Sequence, residues 1–299
     1  MKRIVKKIIA NRIYCCRFAL KWTGVIFTLW SIIALFVPFD TLIDGEIFWI
    51  VRLIIALLVV LTVFVIVYVI GAVVVLNVDR IELFDAGNNH RVFVQYGDIF
   101  SPDILGKDST SKKRNILISV NRCFDTIVDD NLITSHSLHG IAMNYLYEKE
   151  VFTQETLNKQ IQKQLKDVHY TLIDRTEKPR GNLKRYAEGS VVEISETSDI
   201  TYFFFGLSSF DEQLHPSITD VEYVTAVIKA LDYCNKRNQG YPVILPLIGG
   251  GRSGTKKEEK DILEYLIKII KLNRKSINCD IHIVILDSAR ETIAITGLR

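Results

Sequence analysis

From Leu53 to Leu76 the chain runs for 24 residues without a single charge, and most of those residues are Val, Ile or Leu. As a helix this stretch is about 36 Å long at 1.5 Å per residue. A hydrocarbon core is roughly 30 Å thick, so the stretch reads as a tilted membrane span. A buried core helix is the alternative, but 24 uncharged residues exceed what a globular core usually supplies. A second run, Trp22 to Phe39, is uncharged for 18 residues, about 27 Å if helical. Between the runs lies Asp40-Thr41-Leu42-Ile43-Asp44-Gly45-Glu46, acidic and too short to be a domain. Residues 22–76 therefore read as a hairpin of two transmembrane helices. The first run does not read as a cleaved signal peptide, because 21 residues precede it and no small-residue cleavage site follows Phe39. Arg52 falls at the outer edge of the second span, where a long side chain can snorkel to the interface.

Charge sets the orientation. The net charge of +3 hides a basic head on a nearly neutral body: Lys2, Arg3, Lys6, Lys7, Arg12, Arg17 and Lys21 all precede the first acid, Asp40. Basic residues flanking spans stay in the cytoplasm. Residues 1–21 are thus expected inside, the acidic turn outside, and residues 77–299 inside again, in a multi-pass membrane protein. Ile4, Val5, Ile8 and Ile9 alternate with the N-terminal cations, so this segment is expected to lie on anionic lipid, the first expected partner. Five cysteines, an odd number with no C-x-x-C spacing, argue against a disulfide framework and a zinc site. Cys15 and Cys16 are candidates for acylation, or simply two small apolar residues beside the membrane.

After Asn77 the pattern becomes that of an α/β domain. Arg80–Phe84 and Arg91–Tyr96 read as strands joined at Gly87-Asn88-Asn89. Further strands are expected at 115–120, 190–195, 201–207, 241–245 and 280–286, and helices at 139–150 and 153–168. Residues 107–114 read as a loop, and 171–188 as an exposed polar excursion. Thr219 and Glu222 form a capping box for a helix with Val221, Val224, Ile228, Leu231 and Cys234 along one face. A second box, Thr255 and Glu258, opens a helix with Ile262, Leu263, Leu266, Ile269 and Ile270 inward. Strands alternating with helices imply a mixed or largely parallel sheet covered on both faces.

Chemistry concentrates where strand 241–245 meets Ile248-Gly249-Gly250-Gly251-Arg252-Ser253-Gly254. Consecutive glycines let backbone approach a ligand with no Cβ in the way. A helix N-terminus offers N–H groups to an anion, and Arg252 adds a donor that can grip phosphate through two bonds. No Gly-Lys-Ser/Thr closes the loop, so it is not a Walker A motif, and the dinucleotide fingerprint is met only loosely. Phosphate binding and a ligand-free glycine turn both remain open from these residues. No His/Cys/Asp cluster has metal-ligand spacing, so no metal is expected. Lysines in 107–114 lack aromatic interleaving, so nucleic acid is not an expected partner.

Four motifs in order resemble the macrodomain, the ADP-ribose-binding α/β module, over roughly Arg91 to Asp287. Tyr96-Gly97-Asp98-Ile99 is similar to the family's Gly-Asp-Ile element. Leu117-Ile118-Ser119-Val120-Asn121 is similar to its strand ending in Asn, His139-Gly140-Ile141-Ala142 to the end of its first ligand loop, and Pro246 to Gly254 to its second. The resemblance implies a macrodomain-like mixed sheet sandwiched by helices, preceded by the transmembrane hairpin. It implies adenine contacts from Asp98 and Ile99, and distal-ribose contacts from Asn121, His139, Gly140 and Ile141. It assigns the diphosphate to Ile248, Gly249, Gly250, Gly251, Arg252, Ser253 and Gly254.

Two departures fall at the distal end. Ser135-His136-Ser137-Leu138-His139 stands where hydrolysing members carry glycines, and Ser253 stands where an aromatic residue is common. The expected ligand is therefore an ADP-ribose derivative carrying a group on the distal ribose, with no other cofactor and no catalytic residue. His136 and His139 are alternatively surface histidines, and Asp98 alternatively caps the turn into Ser101-Pro102.

A membrane hairpin fused to such a module resembles the effectors of Thoeris-type bacterial antiphage systems. That resemblance implies an inner-membrane protein that senses a nucleotide signal made from NAD by a TIR-domain enzyme, such as histidine–ADP-ribose. It further implies that the protein homo-oligomerises when activated and disrupts the membrane. The alternative is a membrane-tethered ADP-ribosyl hydrolase. A transporter is disfavoured, because neither span carries an intramembrane charge.

Overall fold

The computed structural model of the chain describes residues 2–34, 49–106, 112–250, 255 and 257–298. Two compact units emerge: Met1–Ile81 with Ser288–Arg299, and Glu82–Asp287.

In the first unit a short basic helix, α1 (Lys2–Ala10), precedes α2 (Arg12–Ala34) and α3 (Trp49–Asn77). Both α2 and α3 are long and apolar enough to cross a membrane. The helix α2 starts ten residues ahead of the uncharged run at Trp22, because nothing between Arg12 and Trp22 breaks a helix. Residues 35–48, which include the end of the expected first span and the acidic turn, lie outside the described residues.

The two long helices meet through small side chains, with Cys15, Ala19 and Thr23 buried on α2 and Val67, Gly71, Ala72 and Val75 buried on α3. A Cβ added at Gly71 would meet the Phe18 ring at 3.0 Å, so glycine sets how closely the helices approach. Elsewhere α3 bares Ile54, Leu57, Leu61, Val65 and Val69.

The C-terminal residues from Ser288 belong to this same unit. Glu291 pairs with Lys6 at 3.1 Å and Arg3 at 3.6 Å. The Thr296 hydroxyl donates to Asn11 Oδ1 at 2.5 Å, and Arg290 pairs with Asp79.

The second unit is built on an eight-stranded sheet. Its strands are β1 (Arg80–Gly87), β2 (His90–Tyr96), β3 (Arg114–Asn121), β6 (Val191–Ser195), β7 (Ile200–Phe210), β8 (Pro216–Ser217), β9 (Val243–Pro246) and β10 (Ile281–Ile285). The order is β1-β2-β10-β9-β3-β7-β6, with β8 paired to β7. The β1–β2 hairpin turns at Asn88 and Asn89, both at positive φ (52° and 65°), which asparagine tolerates best among non-glycine residues. From β2 through β7 every neighbouring pair is parallel, while β6 and β8 run antiparallel to β7.

Alternation along the strands serves two cores. Ile116, Ile118, Val120, Tyr202, Phe204, Val192, Ile194 and Ile244 pack with Ala142, Met143 and Leu146 of α4 (Leu138–Glu148) and with Leu157, Ile161 and Leu165 around α5 (Gln154–Gln164). The opposite face is covered by α6 (Asp220–Arg237) and α7 (Glu259–Leu272). There Phe203 meets the α6 ring Tyr233 edge-on, with centroids 5.8 Å apart.

Three expectations need correction here. The capping box at Thr219 and Glu222 forms, yet the inward face of α6 is Tyr223, Ala226, Val227, Ala230, Leu231 and Cys234, with Val221 77% exposed. Val221 sits in the first turn, where the helix surface faces out. The box at Thr255 and Glu258 does not form: α7 begins at Glu259, with no side-chain cap from Glu258. Finally, 171–188 is mostly exposed, as expected, but it is not without structure. It contains the hairpin β4 (Tyr170–Leu172) and β5 (Lys184–Tyr186), and it buries Ile173, Lys178 and Tyr186.

Candidate functional site

Register places the expected site segments along one edge. Ile281 lies opposite Val92 on one side and Val243 on the other, and Val243 lies opposite Asn115. Because these strands are parallel, Tyr96, Ile285, Pro246 and Asn121 all end at the same edge of the sheet. From β9 the chain leads by α7 to β10 on one side, whereas from β3 it leads by α4 and α5 to β6 and β7 on the other. The β3/β9 boundary is therefore a topological switch point, the place where open α/β sheets hold ligands beyond the strand ends.

Gly97 leaves β2 with its N–H donating to the Ile285 carbonyl at 2.9 Å. Asp98 is exposed, and one carboxylate oxygen accepts from the Phe100 N–H at 3.0 Å. Asp98 thus does cap its turn, and it stands at the sheet edge as well. The Ile99 side chain enters the core, leaving its backbone at the edge.

The loop after β3 is the most heavily tied part of the unit. Asn121 is buried, and its Oδ1 accepts from the Cys123 N–H at 3.0 Å. Arg122 lies between Glu222 (3.0 Å) and Glu188 (3.6 Å), and its Nε donates to the Tyr186 carbonyl at 2.8 Å. Burial pushes the Cys123 thiol up to about 11, which makes it a poor nucleophile.

Asp125 is buried with its Oδ2 2.8 Å from Lys178 Nζ, and its Oδ1 accepts from the Asn182 N–H at 2.6 Å. Burial raises this carboxyl, while Lys178, the Asn182 amide and the Asn121 side chain pull it the other way. Farther along, Asp129 accepts from Leu132 at 2.8 Å and pairs with Arg180 at 2.6 Å, and Asp130 accepts from both Ser135 groups.

His139 is not a surface histidine. It lies in the first turn of α4 with Nε2 3.1 Å from the Asp125 carbonyl, and burial lowers its pKa to about 4. It is neutral at physiological pH, and Nε2 carries the proton that the carbonyl accepts. His136, by contrast, is exposed. Ser137 caps α4, accepting from the Gly140 N–H at 3.0 Å. Gly140 is required by packing: a Cβ there would lie 2.2 Å from the Thr134 carbonyl oxygen. Ile141, half-buried, follows in the same turn.

The second loop is pinned from behind. The buried Tyr223 hydroxyl donates to the Ile248 carbonyl at 2.7 Å, the Thr255 hydroxyl donates to the Gly249 carbonyl at 2.6 Å, and the Gly250 N–H donates to the Leu247 carbonyl at 3.0 Å. Thr255 therefore closes the glycine loop instead of capping α7. The carbonyls of 247–249 are thus consumed inside the loop. Among the described residues, the N–H groups of Ile248 and Gly249 have no acceptor. Gly251, Arg252, Ser253 and Gly254 lie outside the described residues, and no group of His, Cys, Asp and Glu among the described residues is arranged to hold a metal ion.

Asp125, Lys178, Asn182 and Tyr223 were not candidates from sequence. Each acts through a contact remote along the chain, and Lys178 sits in a stretch whose composition reads as solvent-exposed.

A family model described as "Thoeris protein ThsA, Macro domain" matches residues 92–286. Thoeris protein ThsA of Bacillus amyloliquefaciens (strain Y2) is 26% identical over 166 residues, which are 55% of this chain and 50% of that protein. The chain thus spans about half the length of that curated relative. An Oceanobacillus iheyensis macrodomain solved with ADP superposes with a TM-score of 0.41 at 10% identity, covering 73% of this chain and 94% of that one. The macrodomain of Mycobacterium tuberculosis DarG gives 0.37 at 14% identity, covering 64% and 96%. With more than half of the chain matched, from β2 to the end of β10, this protein belongs to the ThsA macro-domain family of Thoeris proteins.

Proposed function

We propose that this chain is a membrane-anchored antiphage effector whose α/β unit binds an ADP-ribose-derived nucleotide along the strand-end edge of its sheet. The observation that carries this reading is the convergence of Gly97–Ile99, Asn121 and Leu247–Gly250 on one edge, flanking the β3/β9 switch point. From β2 to β3 is three strand spacings, about 14 Å, which suits an elongated ligand better than a compact one. The N–H groups of Ile248 and Gly249, which have no acceptor among the described residues, suit a diphosphate. Asp98 at the far strand suits an adenine amino group.

Two helices long and apolar enough to cross a membrane support an anchor in the bacterial inner membrane, and the basic N-terminus supports a cytoplasmic α/β unit. The family supports a signal made from NAD by a TIR-domain enzyme, with histidine–ADP-ribose as the expected conjugate. Two spans per chain are too few to enclose a pore, so membrane damage requires assembly of many copies. Ligand can drive that only by binding the assembled state better than the resting one.

Binding without turnover is supported by the loop chemistry. Asp125, Asp129 and Asp130 are committed to ion pairs and hydrogen bonds, and His139 is neutral with its proton in use. A hydrolase needs an uncommitted group to activate water.

The test is calorimetric titration of the full chain in lipid nanodiscs with ADP-ribose and histidine–ADP-ribose, followed by chromatography of the recovered ligand. Intact ligand bound tightly, with the conjugate preferred, is expected. Breakdown of the ligand would transfer the chain to the hydrolases, and no binding of either compound would refute the proposal.

A further inference from the structure

The polar segment between α5 and β6 carries an ammonium group that water does not reach. Lys178 is fully buried, and its Nζ lies 2.7 Å from the Arg180 carbonyl, 2.9 Å from the Asn182 carbonyl and 2.8 Å from Asp125 Oδ2. Burying an ammonium and a carboxylate is costly even when they pair, and a hydrophobic pair of similar volume often serves stability equally well. A buried ion pair is therefore weak evidence of stabilisation and asks for another reason to be present.

That reason lies in what Asp125 holds. Its backbone carbonyl accepts from His139 at 3.1 Å. A side chain expected at the distal ribose is thus seated on the aspartate that Lys178 holds. Asn182 reinforces the arrangement: its backbone N–H donates to Asp125 Oδ1, and its side-chain amide donates to the Cys123 and Phe124 carbonyls at 3.2 and 3.1 Å. Gly181 makes the approach possible, because at φ +77° a Cβ would lie 2.2 Å from Asp125 Oδ1.

We infer that Lys178, with Asn182, is a positioning residue: through Asp125 it fixes His139 where the distal ribose of the ligand is read, so this segment sets distal-end specificity. The inference rests on the proposed nucleotide site. Among the described residues, neither one touches the adenine or diphosphate segments, so the contribution is confined to the part of the ligand beyond the second phosphate.

The experiment compares ADP and ADP-ribose, which differ by that distal ribose, by calorimetry on the full chain in nanodiscs. Wild type is expected to prefer ADP-ribose. Lys178→Met is expected to leave ADP affinity within about twofold and to weaken ADP-ribose at least about tenfold. Asn182→Ala, which keeps the backbone tie, is expected to show the same split at about threefold, and it carries the test alone if Lys178→Met does not fold. A variant that weakens both ligands equally has a merely structural role and overturns the inference, as does an unchanged preference. A wild-type chain that binds ADP-ribose no better than ADP also overturns it while leaving nucleotide binding intact. A wild-type chain that binds neither removes the nucleotide site itself, and the inference with it.

Discussion

Gly249 and Gly250 are adjacent in the loop after β9, yet the structure asks very different things of them. Gly249 has φ +96°, and an added Cβ would sit 2.8 Å from Tyr223 Cε2 and 3.0 Å from Thr255 Cγ2. The Tyr223 ring cannot retreat, because it is buried and its hydroxyl is bonded to the Ile248 carbonyl at 2.7 Å. A left-handed backbone costs a non-glycine residue roughly 1–2 kcal/mol, and overpacking costs roughly 1–3 kcal/mol. Allowing for partial relaxation, Gly249→Ala should lose about 2–4 kcal/mol. Gly250 has no left-handed backbone and meets nothing nearer than the Leu247 carbonyl oxygen at 3.1 Å. Gly250→Ala should therefore lose less than about 1 kcal/mol. Urea unfolding of the two variants, followed by near-UV circular dichroism of the tyrosines, should separate their midpoints by roughly 0.5–2 M at a slope of about 2 kcal/mol per M. Equal midpoints would refute the claim that Tyr223 fixes this loop. Gly249→Ala should also weaken ADP-ribose binding in the same calorimeter, because crowding against Tyr223 and Thr255 displaces the loop that carries the Gly249 N–H.

Tyr223→Phe removes the donor to the Ile248 carbonyl and should cost about 1–3 kcal/mol in the same unfolding assay, because a buried acceptor is left unmade. Thr219→Ala should cost about 1 kcal/mol through loss of the α6 cap, again read from the urea midpoint. His139 makes stability depend on pH. Its folded pKa is about 4 against 6.5 unfolded, so the unfolded chain takes up the proton first. The stability it supports is complete above pH 6.5 and is lost as pH falls toward 4, by up to about 3 kcal/mol. His139→Gln, which keeps a donor for the Asp125 carbonyl, should flatten that window in unfolding curves taken at pH 4.5 and 7. For the membrane topology, Asp44→Cys should react with an impermeant maleimide added to intact cells, and a label seen only after lysis would reverse the orientation.

Much of the architecture was already legible in the chain. The uncharged run from Leu53 to Leu76 admits few folds besides a long apolar helix, because charge and length are local properties. Strand alternation at 115–120 and 201–207, and the box formed by Thr219 and Glu222, are local too, and they recur at nearly the expected bounds. Packing required the fold. Val221 was assigned inward from spacing, but the orientation of α6 is set by Tyr223 reaching the Ile248 carbonyl, a contact 25 residues away. Thr255 was assigned to a cap, but its hydroxyl is drawn to the Gly249 carbonyl, a nearer acceptor in space that no helical spacing reveals.

The sequence by itself determined the hydrophobic hairpin, the alternating α/β pattern and the motifs at Asp98, Asn121, Gly140 and Gly249, since each depends on residues close together in the chain. Only the tertiary structure decided that His139 is buried and neutral, that Lys178 is an interior cation in a segment that looks solvated, and that residues 288–299 join the N-terminal helices. Those outcomes depend on which distant groups remove water from a side chain, and burial of that kind is a property of the packed chain rather than of any window along it.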